Sequence, residues 1–114
     1  MTESPIYITV VGTNHYFGPD IFKIGQTIKL TKDYNNPHDD EAISIEIEAV
    51  GKTGYVANST YTVARGTRSA GRIYDNFAET CYGKVKFIVK DHVIAEVLKW
   101  GVHLNRVTTI NWEE

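Results

Sequence analysis

The chain is divided into short segments in which apolar and polar residues alternate, each followed by a cluster of Gly, Asn, Asp or Pro. In the clearest segment, residues 42–50, polar residues separate Ile43, Ile45 and Ile47. Because successive side chains of a β-strand point to opposite faces, this pattern predicts a strand with one buried face. Short strands at this spacing favour a small closed or nearly closed barrel. The other strands are expected over residues 6–11, 26–32, 55–57, 82–89 and 93–100.

The stretch between the fourth and fifth strands carries helix signals instead. Capping residues at 58–60 predict a first helix over about 60–65. A second helix is expected to begin at Thr67 or Ser69, with Ile73 on its buried face. The sequence therefore predicts a mostly β fold (α+β) of about six strands, with one or two helices between strands four and five.

Finer features of the strands are also predicted. Residues 51–54 (GKTG) are expected to form the hairpin turn between the third and fourth strands. In the fifth strand, alternation places Val85, Phe87 and Val89 on one face.

Four aromatic residues are expected to serve packing. Either Tyr16 or Phe17 should lie in the core beneath the long loop of residues 13–25. Tyr55 and Tyr61 are expected to pack against the barrel or a helix rather than to act as stacking surfaces.

Length and composition indicate one ordinary globular domain over residues 1–114. The strand pattern weakens beyond residue 100, so residues 101–114 are expected to form a C-terminal extension. The extension contains 107–112, either a further strand or a docked tail. No stretch approaches the roughly 20 apolar residues of a membrane span, and the N-terminus lacks the basic region of a signal peptide. We therefore expect a cytoplasmic protein. Its single cysteine, Cys81, excludes an internal disulfide and a cysteine-based metal site.

The charges are unevenly distributed along the chain. Residues 1–51 have a balance of −5, residues 52–90 a balance of +5 and residues 91–114 a balance of −2, for a net charge of −2. Such segregation either produces a basic face that attracts phosphate or folds into a mixed surface. The basic segment includes three closely spaced arginines, Arg65, Arg68 and Arg72.

Two motifs in order, NPHDDEAISIEI at 36–47 and GYVA at 54–57, follow an upstream Gly12 and the aromatic pair at 16–17. Together they resemble the HIRAN domain, and the resemblance covers roughly residues 6–98. It implies an OB-like barrel with inserted helices. It also implies a non-catalytic module that binds single-stranded DNA at its 3′ end, in DNA repair or replication. The chain resembles the small stand-alone bacterial members.

The resemblance also implies which side chains bind. Pro37 fixes its own φ and restricts the preceding residue, so the turn presents His38 and Asp39 rigidly. In the DNA-binding members the aspartate at this position accepts a hydrogen bond from the terminal 3′-hydroxyl, and the residue before it stacks on the last base. The alternative for Asp39 is a turn residue that caps its own backbone.

An upstream pair and a phosphate contact complete the implied site. The family's basic and aromatic pair corresponds to Asn14-His15 or to His15-Tyr16. Where the family has a phosphate-binding lysine near the first helix, this sequence offers Ala57 and Asn58. That departure leaves phosphate contacts to the arginines of the basic segment, whose guanidinium groups suit phosphate.

Two other functions are open on the sequence. One is a barrel that contacts a protein partner through its face or through Trp100 and Trp112. The other is a metal-dependent nuclease using the acidic turn at 38–41 with His15, but nothing there enforces ligand geometry. We expect no cofactor, no metal and no catalytic activity.

Overall fold

The computed structural model describes residues 5–99, which form a closed barrel of six antiparallel strands. The strands are β1 (Ile6–Val11), β2 (Thr27–Lys32), β3 (Ile43–Ile47), β4 (Gly51–Val56), β5 (Thr80–Val89) and β6 (His92–Lys99). Around the barrel they follow the order β1, β4, β3, β2, β5, β6, and β6 pairs with β1 to close it. A single short helix, α1 (Ala70–Ile73), and a 3₁₀ turn (Tyr74–Asn76) lie between β4 and β5. The predicted fold class is confirmed.

The barrel interior is filled by the apolar residues that alternate along the strands. Ile28 and Leu30 of β2, Ile45 of β3 and Val85 of β5 are all fully buried. Each aliphatic side chain removed from water contributes about 1.5–3 kcal/mol, which makes this interior the main source of stability.

The turn between β3 and β4 comes earlier than the sequence predicts. It occupies residues 48–50, where Ala49 has a φ of 72° and the Val50 N–H donates to the Ile47 carbonyl at 2.9 Å. The predicted turn at 51–54 is therefore wrong, because these residues are the first part of β4. Gly54 is required there, since a Cβ atom would lie 2.8 Å from the carbonyl oxygen of Val11.

Strand β5 contains an irregularity that reverses which side chains face outward. Its pairing with β6 shifts between Val85 and Phe87, and such a bulge adds one residue to the bulged strand. Val85 is therefore buried, whereas Phe87 is 51% exposed and Val89 61% exposed. The predicted common face of these three residues is wrong, because the bulge breaks the alternation.

The predicted helix over 60–65 is also wrong, since this segment forms turns. The Ser59 carbonyl accepts from the Val63 N–H at 3.0 Å, but the segment is rich in residues of low helix propensity. Its backbone bonds to β1 instead, where Thr9 Oγ1 accepts from the Ala64 N–H at 3.1 Å. The second predicted helix is present as α1. Its N-cap is Ser69, whose hydroxyl accepts from the Arg72 N–H at 3.3 Å.

Two of the aromatic predictions fail. Tyr16 and Phe17 are 39% and 56% exposed, so neither lies in the core, and Phe22 is the buried aromatic of that loop. Tyr61 is 95% exposed, so its predicted packing against the barrel or a helix is wrong. Trp100, Trp112 and the strand or tail predicted at 107–112 lie outside the described residues. No helix in the described part is long and apolar enough to cross a membrane.

Candidate nucleic-acid interface

The loop between β2 and β3 is a series of tight turns that is closed by a backbone hydrogen bond and shaped by its own side chains. The Asp33 N–H donates to the Ala42 carbonyl at 2.9 Å and closes the loop. Within it, the Asn36 side chain accepts from the His38 N–H at 2.8 Å, and Asp39 Oδ1 accepts from the Glu41 N–H at 2.9 Å. Side-chain bonds to a backbone N–H two residues on define Asx turns, which the Asn and Asp residues of this segment favour. The loop therefore has a defined shape.

Asp39 is also held from outside its own loop. Asn58 Nδ2 donates to both carboxylate oxygens of Asp39, at 2.9 and 3.2 Å. Asn58 is fixed in turn, because its Oδ1 accepts from the Gly71 N–H of α1 at 2.8 Å. A Cβ atom on Gly71 would lie 2.5 Å from Glu41 Oε1 and 3.3 Å from Asn58 Oδ1, so Gly71 lies close to both of these side chains. The helix, through Asn58, thus orients the carboxylate.

The hydrogen bonds leave the carboxylate able to accept one more donor. A carboxylate has about four acceptor positions. The Asn58 amide uses one on each oxygen and the Glu41 N–H a second on Oδ1. Among the bonds formed within residues 5–99, one acceptor position on Oδ2 of Asp39 is therefore left.

Asp39 lies at the wall of a cleft with a volume of about 520 Å³, which we call the end cleft. Of the predicted site residues, His38, Asp39 and Asn58 line it. The structure does not place His15 in this lining. It is exposed on the 3₁₀ turn Thr13–His15. Tyr16 does not line the cleft itself. Its ring lies 6.5 Å from the ring of Tyr55, which does line the cleft.

Tyr55 is part of a second hydrogen-bonded group beside the end cleft. Its hydroxyl donates to Asp33 Oδ2 at 2.6 Å and accepts from Lys52 Nζ at 3.1 Å. The hydrogen bond from Tyr55 lowers the pKa of the Asp33 carboxyl. Burial, together with that bond, raises the pKa of the Tyr55 hydroxyl. The bond to Tyr55 raises the pKa of Lys52, so at neutral pH Lys52 and Asp33 are ionised and the Tyr55 hydroxyl is protonated.

The sequence predicts only a packing role for Tyr55 and does not indicate this group of hydrogen bonds. Lys52 lies on β4 with Tyr55, whereas Asp33 comes from the β2–β3 loop, so the group depends on how that loop lies against β4. The one available signal is the GY motif itself, which marks the position without indicating the partners.

Arg65, Arg68 and Arg72 line a neighbouring groove of about 650 Å³, which we call the arginine groove. All three are exposed, and no acidic side chain within residues 5–99 forms an ion pair with any of them. Their backbone is anchored, since the Arg68 N–H donates to the Tyr7 carbonyl of β1 at 2.8 Å. The groove thus presents three unneutralised guanidinium groups from a fixed segment, which suits binding of a polyanion.

The end cleft and the arginine groove are continuous. Asn58 and Ser59 line both of them. A ligand whose end lies at Asp39 can therefore extend past Asn58 along the arginines without leaving the surface.

Two kinds of reactive group can be assessed within the described residues: a cluster of metal ligands and the Cys81 thiol. Within residues 5–99, no group of three or more His, Cys, Asp or Glu side chains is placed to hold a metal ion. The Cys81 thiol is buried in the barrel, and burial raises its pKa to about 12, so it is protonated at neutral pH.

Comparisons with known proteins relate these features to a family. A crystal structure of a protein from Lactobacillus plantarum is similar, with 21% identity and a TM-score of 0.57, over 82% of this chain and 93% of that one. The HIRAN domain of human HLTF is similar with 19% identity and a TM-score of 0.57, over 93% of this chain and 84% of that one. At these identities the likeness shows a shared fold. No curated protein sequence matches the chain. The HIRAN domain family model matches residues 5–97, and the chain therefore belongs to the HIRAN domain family.

Proposed function

We propose that this protein is a non-catalytic module that binds single-stranded DNA and holds the 3′ end of the strand in the end cleft. HIRAN domains are DNA-binding modules, and a nucleic-acid-binding role fits this chain. The observation that carries the finer proposal is the Asp39 carboxylate, held by Asn58 and Glu41 with one acceptor position left. A terminal 3′-hydroxyl is a donor, whereas an internal nucleotide of DNA offers no hydroxyl there.

In this arrangement, different residues bind the 3′-hydroxyl, the last base and the phosphates of the strand. Asp39 accepts from the 3′-hydroxyl, and His38 with the Tyr16–Tyr55 pair provides ring faces near the last base. The strand leaves the end cleft beside Asn58 and its phosphates follow the arginine groove. The module acts in repair or replication, where free 3′ ends occur.

The Asp39→Asn variant tests this arrangement. Hydrogen bonds to charged groups contribute about 1.5–3 kcal/mol, so the loss of the carboxylate should weaken binding to a strand with a free 3′-hydroxyl about tenfold or more. Fluorescence anisotropy with a strand labelled at its 5′ end measures this affinity. Binding to a strand that is blocked at its 3′ end should change little.

Asp40→Asn is the matched control, because it removes the same charge from the next, exposed residue of the loop. It should leave both affinities close to those of the wild type. Equal losses in the two variants would mean that the effect is not specific to the Asp39 carboxylate and would contradict end recognition.

A further inference from the structure

An apolar groove of about 440 Å³ lies beside the arginine groove. Its apolar lining comes from three strands: Tyr7 of β1, Phe87 and Val89 of β5, and Ile94 of β6. We call it the Phe87 groove. It lies outside the end cleft and has no role in the proposed binding of the 3′ end.

The Phe87 groove exposes aromatic surface that a small barrel ordinarily buries. Phe87 is 51% exposed, and its ring lies 5.9 Å from the ring of Tyr7 at an interplanar angle of 56°. The bulge after Val85 turns this ring outward. Because exposed aromatic surface is costly in water, contiguous patches of it mark binding surfaces.

The position of the groove indicates what it binds. Arg65, Gly66 and Thr67 line both the arginine groove and the Phe87 groove. A strand whose phosphates follow the arginines is thus led to the Phe87 ring. A nucleobase has an apolar π-face, and its phosphate is an anion, so one nucleotide matches both the ring and the guanidinium group of Arg65.

The distance between the end cleft and the Phe87 groove can be estimated along strand β1, which contributes a residue to each. Val11 lines the end cleft, and Tyr7 lines the Phe87 groove. Four residues of a strand span about 13 Å. At the roughly 3.4 Å rise of a stacked strand, this distance corresponds to about four nucleotides.

We propose that the Phe87 groove is a second base-binding site, in which Phe87 stacks on a nucleobase about four nucleotides from the 3′ end. The inference rests on the proposed function, because it takes the 3′ end in the end cleft as its starting point. It extends the interface to a defined length and direction of strand.

Strand length and the Phe87→Ala variant test the proposal. The wild type should bind an octanucleotide more tightly than a dinucleotide, which is too short to reach the ring. Stacking on an aromatic contributes about 1–3 kcal/mol per base, so Phe87→Ala should weaken octanucleotide binding about fivefold or more. It should leave dinucleotide binding unchanged. Phe87→Tyr retains the ring and should bind like the wild type.

A fluorescent base gives a direct readout of stacking. With 2-aminopurine placed four nucleotides beyond the 3′-terminal nucleotide, binding should quench its fluorescence in the wild type and not in Phe87→Ala. Ile24→Ala is the control, because Ile24 is 67% exposed and lines neither groove. It should leave affinity and quenching unchanged.

The two proposals fail in different ways. If Phe87→Ala binds the octanucleotide as tightly as the wild type while the preference for a free 3′ end persists, the Phe87 groove is not a base site and end recognition stands. If the wild type binds neither strand, both proposals are overturned.

Discussion

At the Asp39 carboxylate, a local turn and a distant side chain meet. The bond from the Glu41 N–H belongs to a turn that the sequence predicts from its Asn, Pro and Asp residues. The bond from Asn58 joins residues 19 positions apart. It could not be predicted, because it depends on how β4 and the segment after it pack against the loop. The resemblance implies a ligand-binding role for Asn58 in place of the family's lysine, but it does not indicate that the Asn58 side chain holds the Asp39 carboxylate.

Asn58→Ala should affect both stability and end recognition. It removes the donor to Asp39 and the acceptor for the Gly71 N–H, which should lower the free energy of unfolding by about 1–2 kcal/mol. The preference for a free 3′ end should fall, because the carboxylate is no longer oriented. Urea unfolding and anisotropy measure the two effects. The exposed Asn76→Ala should change neither, and an Asn58→Ala variant with full end preference would contradict the positioning role.

At the scale of elements, the sequence predicts which segments are strands but not where their faces change. The alternation in β2 and β3 is regular, and both strands are found close to their predicted places. In β5 the bulge after Val85 reverses the faces, and nothing in the local pattern marks it. The 60–65 segment has good capping residues, yet its backbone bonds to β1 rather than to itself. Tertiary contacts override local propensity at both places.

The Tyr55–Asp33 hydrogen bond, which links β4 to the β2–β3 loop, should make stability depend on pH. The bond lowers the pKa of Asp33 below its ordinary value of 3.8. A carboxyl with a lowered pKa contributes stability above its ordinary pKa, and that contribution is lost as the pH falls through the folded-state value. Tyr55→Phe should therefore reduce the free energy of unfolding by about 1 kcal/mol near neutral pH, since the pair is only partly buried.

The difference between Tyr55→Phe and the wild type should shrink as the pH falls below 3.8. Urea unfolding at a series of pH values measures it. Tyr61→Phe is the control, because Tyr61 is 95% exposed, and it should match the wild type throughout. A difference that stays constant down to the lowest pH would show that the ionised Asp33 is not the acceptor that matters.

At the scale of the whole molecule, a near-neutral protein concentrates positive charge on one surface. The net charge is −2, but residues 52–90 carry a balance of +5. Part of this balance is neutralised, because Lys52 pairs with Asp33 at 3.8 Å and Lys86 with Glu96 at 3.5 Å. The charge pattern alone could not distinguish a basic face from a mixed surface. The folded chain places three arginines in one groove continuous with the end cleft.

The triple variant Arg65→Ala/Arg68→Ala/Arg72→Ala tests the role of this groove in binding. Each phosphate contact with a single strand contributes about −0.7 to the slope of log K against log salt concentration. If each arginine contacts one phosphate, the variant should flatten the slope by about 2. Lys23→Ala/Lys29→Ala/Lys84→Ala removes as much charge from residues outside the groove and should leave the slope nearly unchanged. An unaltered slope in the arginine variant would exclude the groove as the phosphate path.

The most direct test of end recognition is an NMR titration of the wild-type protein with two strands that differ only at the 3′ end. One strand carries a free 3′-hydroxyl, and the other carries a 3′-phosphate that would face the Asp39 carboxylate. The free strand should bind about tenfold more tightly or better, with shifts at the Asp39, Glu41 and Asn58 amides. The blocked strand should shift mainly residues of the arginine groove. Equal affinities with identical shifts would contradict recognition of the 3′ end by this protein.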